Sequence, residues 1–187
     1  MPGIIANIME TVAQIIEEEK EEKEENKEIH YPYVVRGAHI FCPYGTHIRK
    51  LDMPYAHGAF IRDKAMLNED DCEVGLSANI APFGGCRSPL KEGKEVKITI
   101  GEDDLPMPTG YDEATGTLIL PDPGHVIEDV KLCEPSLLSE KWLEAEEETL
   151  VDGKPALTMK CHLTCAYACQ DNGEARISFM TDGQAVE

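Results

Sequence analysis

The sequence predicts a small, mostly β domain with hairpin insertions, preceded by an amphipathic α-helical extension. After residue 29, short segments rich in β-branched and aromatic residues alternate with Gly, Pro, Asn and Asp, a pattern typical of strands and turns. Between residues 30 and 135 the apolar residues keep no 3.6-residue period long enough to indicate a helix. The length of 187 residues fits one ordinary domain with an extension.

The helical extension is predicted from the N-terminal segment. Its apolar residues follow the spacing of one helix face: Ile4, Ile5, Ile8, Met9, Val12, Ile15 and Ile16. The next segment, residues 17–28, holds eight Glu and three Lys and no apolar residue, which is typical of a solvated helix or a charged tether. We therefore expect a helix and linker over residues 1–29 and a β domain over residues 30–187. The apolar stripe at residues 4–16 needs a covering surface, either on this β domain or on another protein.

Residues 88–132 are predicted to be a hairpin insertion in the β domain. Two hairpin-like units follow each other here, with turns near DDLP (residues 103–106) and DEATG (residues 112–116). Later in the chain, LLSEKWLEAEE (residues 137–147) is the remaining candidate for a helix.

The charge of the chain disfavours two classes of partner. Lys and Arg number 17 against 36 Asp and Glu, a formal net charge of −19, so nucleic acid and anionic membrane surfaces are disfavoured. No apolar run approaches the roughly 20 residues of a membrane-spanning helix, and the N-terminus lacks the features of a signal peptide. We expect synthesis in the cytoplasm without a signal peptide.

Seven cysteines are many for a cytosolic chain, and clustered thiols in a reducing compartment bind metal more often than they form disulfides. Six of them stand near turns: Cys42 before Pro43, Cys86 after a Gly-Gly pair, Cys133 two residues before Pro135, and the group Cys161, Cys165 and Cys169 before Gly173. Four such thiols fit a tetrahedral structural zinc site. Mixed ligand sets that include His39, His47 or His162 are equally compatible with zinc coordination. A buried cysteine that only packs as a small apolar side chain is the alternative for each.

The sequence gives less support to an enzyme than to a structural metal site. The chain contains no GxSxG, no HExxH and no phosphate-cradling GxxxxGK[ST] motif. A thiol nucleophile at Cys42 with His39 or His47 as base requires a convergence in space that the sequence does not indicate. We therefore expect a protein that is not an enzyme.

The ordered landmarks resemble one family. VVRGAHIFCPYGT, NIAPFGGC, LCEP followed by Trp142, VDGKPALTMKCHLTCAYA and a closing DGQ are similar to the PAAR-like proteins of bacterial contractile injection systems, including type VI secretion, over about residues 33–184. The resemblance implies a small conical β domain that caps and sharpens a trimeric spike protein and holds a structural Zn²⁺ near its apex. The recurring cysteines of the family fall on Cys42, Cys86, Cys133 and Cys165, whereas Cys72, Cys161 and Cys169 lie outside its pattern.

Two phrases, HIFCPY at residues 39–44 and HLTCAY at residues 162–167, are similar to two copies of a PAAR-type repeat turn, which would bring the terminal thirds of the chain together. The preferred interpretation leaves His39 and His162 outside the metal site. The chain departs from the family at Leu132, where Pro is usual, and at ACQDNGEAR (residues 168–176), which replaces a Gly-Gly pair.

The resemblance also implies partners and a destination. The β domain would sit on the spike of the injection apparatus and leave the cell with it, and residues 4–16 could couple an effector or a chaperone. The alternative function is an adaptor or chaperone for a secreted toxin, with the β domain as a binding module.

Overall fold

The computed structural model describes residues 30–171 and 176–185, with the backbone alone for residues 169–171. The predicted helix at residues 4–16, the charged segment at residues 17–28 and the side chain of Cys169 therefore lie outside the described residues. Residues 31–187 form one compact unit. His30 is the one described residue outside this unit.

The described part of the chain is mostly β, as predicted. In chain order the strands are β1 (His39–Phe41), β2 (Arg49–Lys50), β3 (Phe60–Ile61), β4 (Lys64–Ala65), β5 (Gly85–Cys86), β6 (Glu95–Thr99), β7 (Gly110–Asp112), β8 (Thr117–Ile119), β9 (Val126–Leu132), β10 (Glu146–Val151), β11 (Lys154–Ala156), β12 (His162–Leu163) and β13 (Ile177–Phe179). One 3₁₀ helix spans Ala166–Asp171. Within residues 30–171 and 176–185 no helix is long and apolar enough to cross a bilayer.

A four-stranded sheet joins the two ends of the β domain in the order β12-β13-β1-β2. Strand β13 lies between the strands that contain the motifs HIFCPY and HLTCAY. It pairs with β1 on one side (Ile40 with Phe179) and with β12 on the other (His162 with Ser178). The terminal thirds of the chain therefore meet in one sheet, as the repeated phrases predicted.

A second sheet has the order β5-β9-β6, and three two-stranded pairs, β3-β4, β7-β8 and β10-β11, complete the fold. The turn predicted at DEATG connects β7 to β8, where the amide of Gly116 donates to the carbonyl of Asp112 at 2.8 Å. The hairpin predicted around DDLP is wrong, because β6 pairs with β9. Residues 105–107 contact residues 46–48 instead, through hydrogen bonds from Ile48 N to Leu105 O and from Met107 N to Thr46 O.

The helix predicted at residues 137–147 is also wrong. Leu137 forms a bridge with Cys165, Leu143 forms one with His162, and β10 begins at Glu146. The amide of Trp142 donates to a carbonyl elsewhere in the chain, Glu69 O at 2.8 Å. Tertiary pairing of this segment outweighs its local helix propensity.

The main core encloses every cysteine whose side chain is described: Cys42, Cys72, Cys86, Cys133, Cys161 and Cys165. Its centre includes Trp142, which is 1% exposed and stacks on Phe179 with ring centroids 4.7 Å apart. A smaller apolar cluster lies between β6 and β9 and contains Ile100, Ile127 and Val130. The thiols are thus core residues, and their positions follow from how the sheets meet.

Candidate metal centre

Two of the four predicted ligands leave the terminal sheet at the same edge. Cys42 directly follows β1, and Cys165 lies two residues after the end of β12. Because β1 and β12 are both antiparallel to β13, they run in the same direction and their carboxyl ends meet at one edge. The sheet topology therefore brings together two cysteines from opposite ends of the domain.

The other two predicted ligands lie on neighbouring strands of the second sheet. Gly85 pairs with Leu132 and Cys86 with Lys131, and the amide of Cys133 donates to Gly84 O at 2.9 Å. Alternation of side chains along a strand then places Cys86 and Cys133 on the same face, at diagonal positions. Their side chains point to one side of this sheet.

Backbone pairing joins the two sheets at the cysteines. The turn after Cys42 pairs with β5 through bonds from Arg87 N to Tyr44 O at 2.8 Å and from Thr46 N to Gly85 O at 3.0 Å. On the other side, Leu137 forms a bridge with Cys165 four residues after Cys133. The four thiol-bearing segments are therefore neighbours.

One small cavity is shared by all four predicted ligands. Each of the four is only 6–8% exposed. The remaining lining is largely apolar and includes Tyr44, Phe83, Pro135, Tyr167 and Ile177. The cavity volume is about 10 Å³, close to the space that one water-sized sphere needs. It has room for a single ion and no room for an organic substrate.

Burial controls the acidity of the Cys42 thiol. Burial raises the pKa of Cys42 to about 11, against the lowering effect of the backbone N–H groups of Tyr44 and Gly45. Repulsion from Cys165 and Cys86 raises the same pKa further. The two N–H groups favour the anionic sulfur, which is the form that binds a metal.

Cys133 shows the same arrangement. Burial raises the pKa of Cys133 to about 12, the backbone N–H of Phe83 lowers it, and repulsion from Cys86, Cys42 and Cys165 raises it. Each of the four sulfurs thus takes part in repulsion between thiolates within the cluster. A cation among them would reverse the sign of that interaction.

The thiols share a cavity without forming a finished coordination sphere. Among residues 30–171 and 176–185, no three His, Cys, Asp or Glu side chains stand in a metal-ligating arrangement. The donor set nevertheless fits the chemistry of a structural zinc site, which prefers four thiolates in a closed, buried position. None of the six described cysteines forms a disulfide.

Two further cysteines are held away from this cavity. The thiol of Cys72 donates to Glu140 O at 3.1 Å. The thiol of Cys161 donates to Glu144 O at 3.4 Å and its sulfur accepts the amide of Thr158 at 3.2 Å. The two thiols therefore form hydrogen bonds to the backbone on either side of Trp142, at Glu140 and at Glu144.

The three histidines considered as ligands lie outside the cavity lining. Nδ1 of His39 is 3.2 Å from the hydroxyl of Thr181. His47 is buried between Thr46 Oγ1, 2.8 Å from Nδ1, and Asp104 Oδ2, 3.3 Å from Nε2. Nδ1 of the buried His162 faces Glu144 Oε1 at 4.0 Å.

Sequence reasoning missed the outer wall of the cavity. Glu134 and Tyr167 line it, and the ammonium of Lys91 lies 4.6 Å from the centroid of the Tyr167 ring. Glu134 and Tyr167 follow Cys133 and Cys165 by one and two residues, a proximity that could have marked them. Nothing in the sequence around Lys91 indicates its position.

One family model, described as "Domain of unknown function (DUF4280)", matches residues 34–184. The matched range contains all four cysteines of the cavity and every strand. No curated protein and no solved structure matches the chain.

Proposed function

We propose that this chain, which belongs to the DUF4280 family, is a PAAR-like tip protein of a bacterial contractile injection system. In this proposal its conical β domain caps and sharpens a trimeric spike and has no enzymatic activity. The protein is made in the bacterial cytoplasm, assembles on the injection apparatus and leaves the cell with the spike. A structural metal ion, Zn²⁺ by the chemistry of its ligands, stiffens the domain.

The observation that carries this proposal is the convergence of Cys42, Cys86, Cys133 and Cys165 on one cavity of single-ion size. These are the positions that the resemblance to PAAR-like proteins selects among seven cysteines. Their convergence supports both the resemblance and a metal at the junction of the two sheets.

A metal would solve a stability problem of this fold. Most of its strands have only two or three residues, short of the usual five or six, so each strand forms few ladder hydrogen bonds. Bound Zn²⁺ would supply a cross-link among four segments. Structural zinc binding is worth about 10–16 kcal/mol in small domains, comparable with the 5–15 kcal/mol of a whole folded domain. Such a cross-link suits a tip that must withstand mechanical force.

The site gives little support to a thiol enzyme. Burial raises the pKa of Cys42 to about 11, whereas an activated nucleophile needs a lowered pKa. The cavity also has no room for a substrate. A closed thiol cluster in which burial raises the pKa of Cys42 and of Cys133 fits a structural role better.

Metal analysis tests the centre directly. We expect about one zinc per chain in protein purified under reducing conditions, and a strongly reduced zinc content after Cys42→Ser. Cys72→Ser is the matched control, because Cys72 is equally buried but donates to Glu140 O away from the cavity. Protein without metal, or equal zinc in both variants, would remove the proposed centre.

Binding to the spike tests the role. We expect one chain to bind one trimer of the purified β-helical spike protein of the same apparatus, measured by mass photometry. Zinc-depleted protein should bind more weakly. Three chains per trimer, or no binding at micromolar concentration, would contradict a tip protein.

A further inference from the structure

Lys91 is a buried lysine beside the thiol cavity. Its side chain is 7% exposed, and lysine is almost never so buried unless it is paired. Its ammonium lies 3.1 Å from Glu134 Oε2 and 4.6 Å from the centroid of the Tyr167 ring. The burial of a long cationic side chain at this place needs a physical reason.

Both partners of Lys91 belong to the wall of the cavity. Glu134 directly follows Cys133, and Tyr167 lies two residues after Cys165. Both line the cavity that the four thiols share. The ammonium therefore contacts two residues of the cavity wall.

The backbone around Lys91 is fastened to the same wall. The amide of Lys91 donates to Ser88 O at 3.2 Å, and the hydroxyl of Ser88 donates to Tyr167 O. Ser88 lies two residues after Cys86. The position of Lys91 is thus tied to the position of the thiol cluster.

The charges of Lys91 and Glu134 are screened by water to different extents. The side chain of Glu134 is 74% exposed, so water screens its charge, whereas the buried ammonium is screened much less. Burial alone lowers the pKa of Lys91, but the bond to Glu134 and the contact with Tyr167 raise it overall, so the side chain stays cationic. The ammonium is therefore a buried positive charge against Tyr167 and Glu134, which line the cavity.

A nearby positive charge would stabilise a buried centre of four thiolates, in addition to the backbone N–H groups at Cys42 and Cys133. A divalent cation with four thiolates carries two net negative charges, and buried charge without compensation is costly. The described chain places a buried cation against the ring of Tyr167, a residue that lines the cavity.

We propose that Lys91 is the counter-charge of the four-cysteine centre and favours its anionic, metal-bound form. This inference rests on the metal centre proposed above. Lys91 does not ligate the metal. It is a positioning residue that acts through its charge, beyond the ligand set itself.

The test compares zinc affinities by competition with a chromophoric chelator. We expect Lys91→Met, which keeps the apolar stem and removes the charge, to bind zinc about tenfold more weakly, equivalent to about 1.4 kcal/mol. Lys97→Met is the matched control, because Lys97 pairs with Glu128 on the surface and is 69% exposed. Its zinc affinity should equal that of the wild type.

Glu134→Gln distinguishes an electrostatic role of Lys91 from a purely structural role of the Lys91–Glu134 hydrogen bond. It keeps a hydrogen-bond acceptor for Lys91 but removes the opposing charge, so we expect unchanged or a few-fold tighter zinc binding. If the Lys91–Glu134 bond only holds the structure together, both Lys91→Met and Glu134→Gln should bind zinc more weakly. That result would overturn the proposal that Lys91 acts as a counter-charge. If Lys91→Met does not fold, the exposed Glu134→Gln decides alone, and weaker binding overturns the proposal.

The outcomes also separate this inference from the proposed function. Wild-type affinity in Lys91→Met overturns the counter-charge and leaves the metal centre standing. A wild-type protein that binds no zinc overturns both.

Discussion

Cys42 and Cys165 lie at the same edge of one sheet because the strands that precede them, β1 and β12, flank β13 and are both antiparallel to it. This relationship depends on pairing between the two ends of the domain. The last strand, β13, is therefore as necessary to the thiol cavity as the cysteines themselves. Loss of β13 pairing would separate two of the four thiols.

Trp142 is expected to be the most sensitive apolar position near this sheet. It is buried, stacks on Phe179 of β13, and its indole N–H donates to Asp71 O at 2.9 Å. Trp142→Ala should lower the free energy of unfolding by about 3–5 kcal/mol, from the cavity it leaves and the carbonyl it unpairs. Urea unfolding followed by circular dichroism measures this.

Leu150→Ala is the control for Trp142, because Leu150 is a large apolar side chain that is mostly exposed. It should change the free energy of unfolding by less than about 0.5 kcal/mol. Similar effects of the two substitutions would mean that the stacking on Phe179 is not part of the stable core.

Gly84 is required at its position for two separate reasons. Its φ of 74° is in the left-handed region, and an added Cβ would collide with Nδ1 of His47 and with Oγ1 of Thr46. Gly153 has the same φ of 74° with open space around it. Gly153→Ala should therefore cost about 1–2 kcal/mol from backbone strain alone.

Gly84→Ala should cost about 1–3 kcal/mol more than Gly153→Ala, because overpacking adds to the strain. It should also reduce zinc content, since Gly84 accepts the amide of Cys133. Thermal unfolding and metal analysis of the two variants together check this. Equal destabilisation would show that the space around Gly84 relaxes freely.

The candidate site could be predicted in part from local signals and in part from the resemblance to a family. Turn residues stand near three of these cysteines, as Pro43 after Cys42, Gly85 before Cys86 and Pro135 after Cys133. The choice of Cys165 over Cys161 and Cys169 rests on the resemblance to PAAR-like proteins. Turns end strands, and strand ends of one domain collect at common edges. The mostly β character was predictable for the same reason, because strand and turn composition is a local property.

The parts that could not be predicted depend on distant partners. The segment at residues 137–147 has helical composition, yet Trp142 is held by Glu69 and stacks on Phe179. Lys91 resembles any surface lysine in the sequence, since its ion-pair partner Glu134 lies 43 residues further along the chain. Such contacts are decided by the packing of the whole domain, which overrides local preference.

The thiol of Cys42 is expected to react slowly at neutral pH. Burial raises the pKa of Cys42 to about 11 from an ordinary 9.0, which lowers its thiolate fraction about a hundredfold. Chelator-treated protein that remains folded should therefore be alkylated by iodoacetamide much more slowly at Cys42 than the same protein in urea. Peptide mass spectrometry measures both rates. Rapid alkylation of Cys42 in the folded protein would favour a thiol enzyme.

The buried His47 is expected to make the fold sensitive to mild acid. Burial lowers the pKa of His47, and the charges of Arg49 and Arg87 lower it further, against the raising effect of Asp104. The native protein therefore holds the neutral imidazole, and the unfolded chain binds a proton more readily. The stabilisation is complete above the unfolded-state pKa near 6.5 and is lost as the pH falls below it, towards the lower folded-state pKa.

His47→Gln should therefore flatten the dependence of unfolding free energy on pH between about 7 and 5, by at most about 1.4 kcal/mol per pH unit for one site. Wild type and variant keep the same four cysteines, so the pH dependence of metal binding cancels in the difference between them. His125→Gln is the control, because His125 is an exposed histidine. It should leave the wild-type slope unchanged. If the unfolding free energy of His47→Gln has the same slope against pH as that of the wild type, protonation of His47 is not coupled to unfolding. The contacts of the neutral imidazole with Thr46 and Asp104 would then not cause any loss of stability in acid.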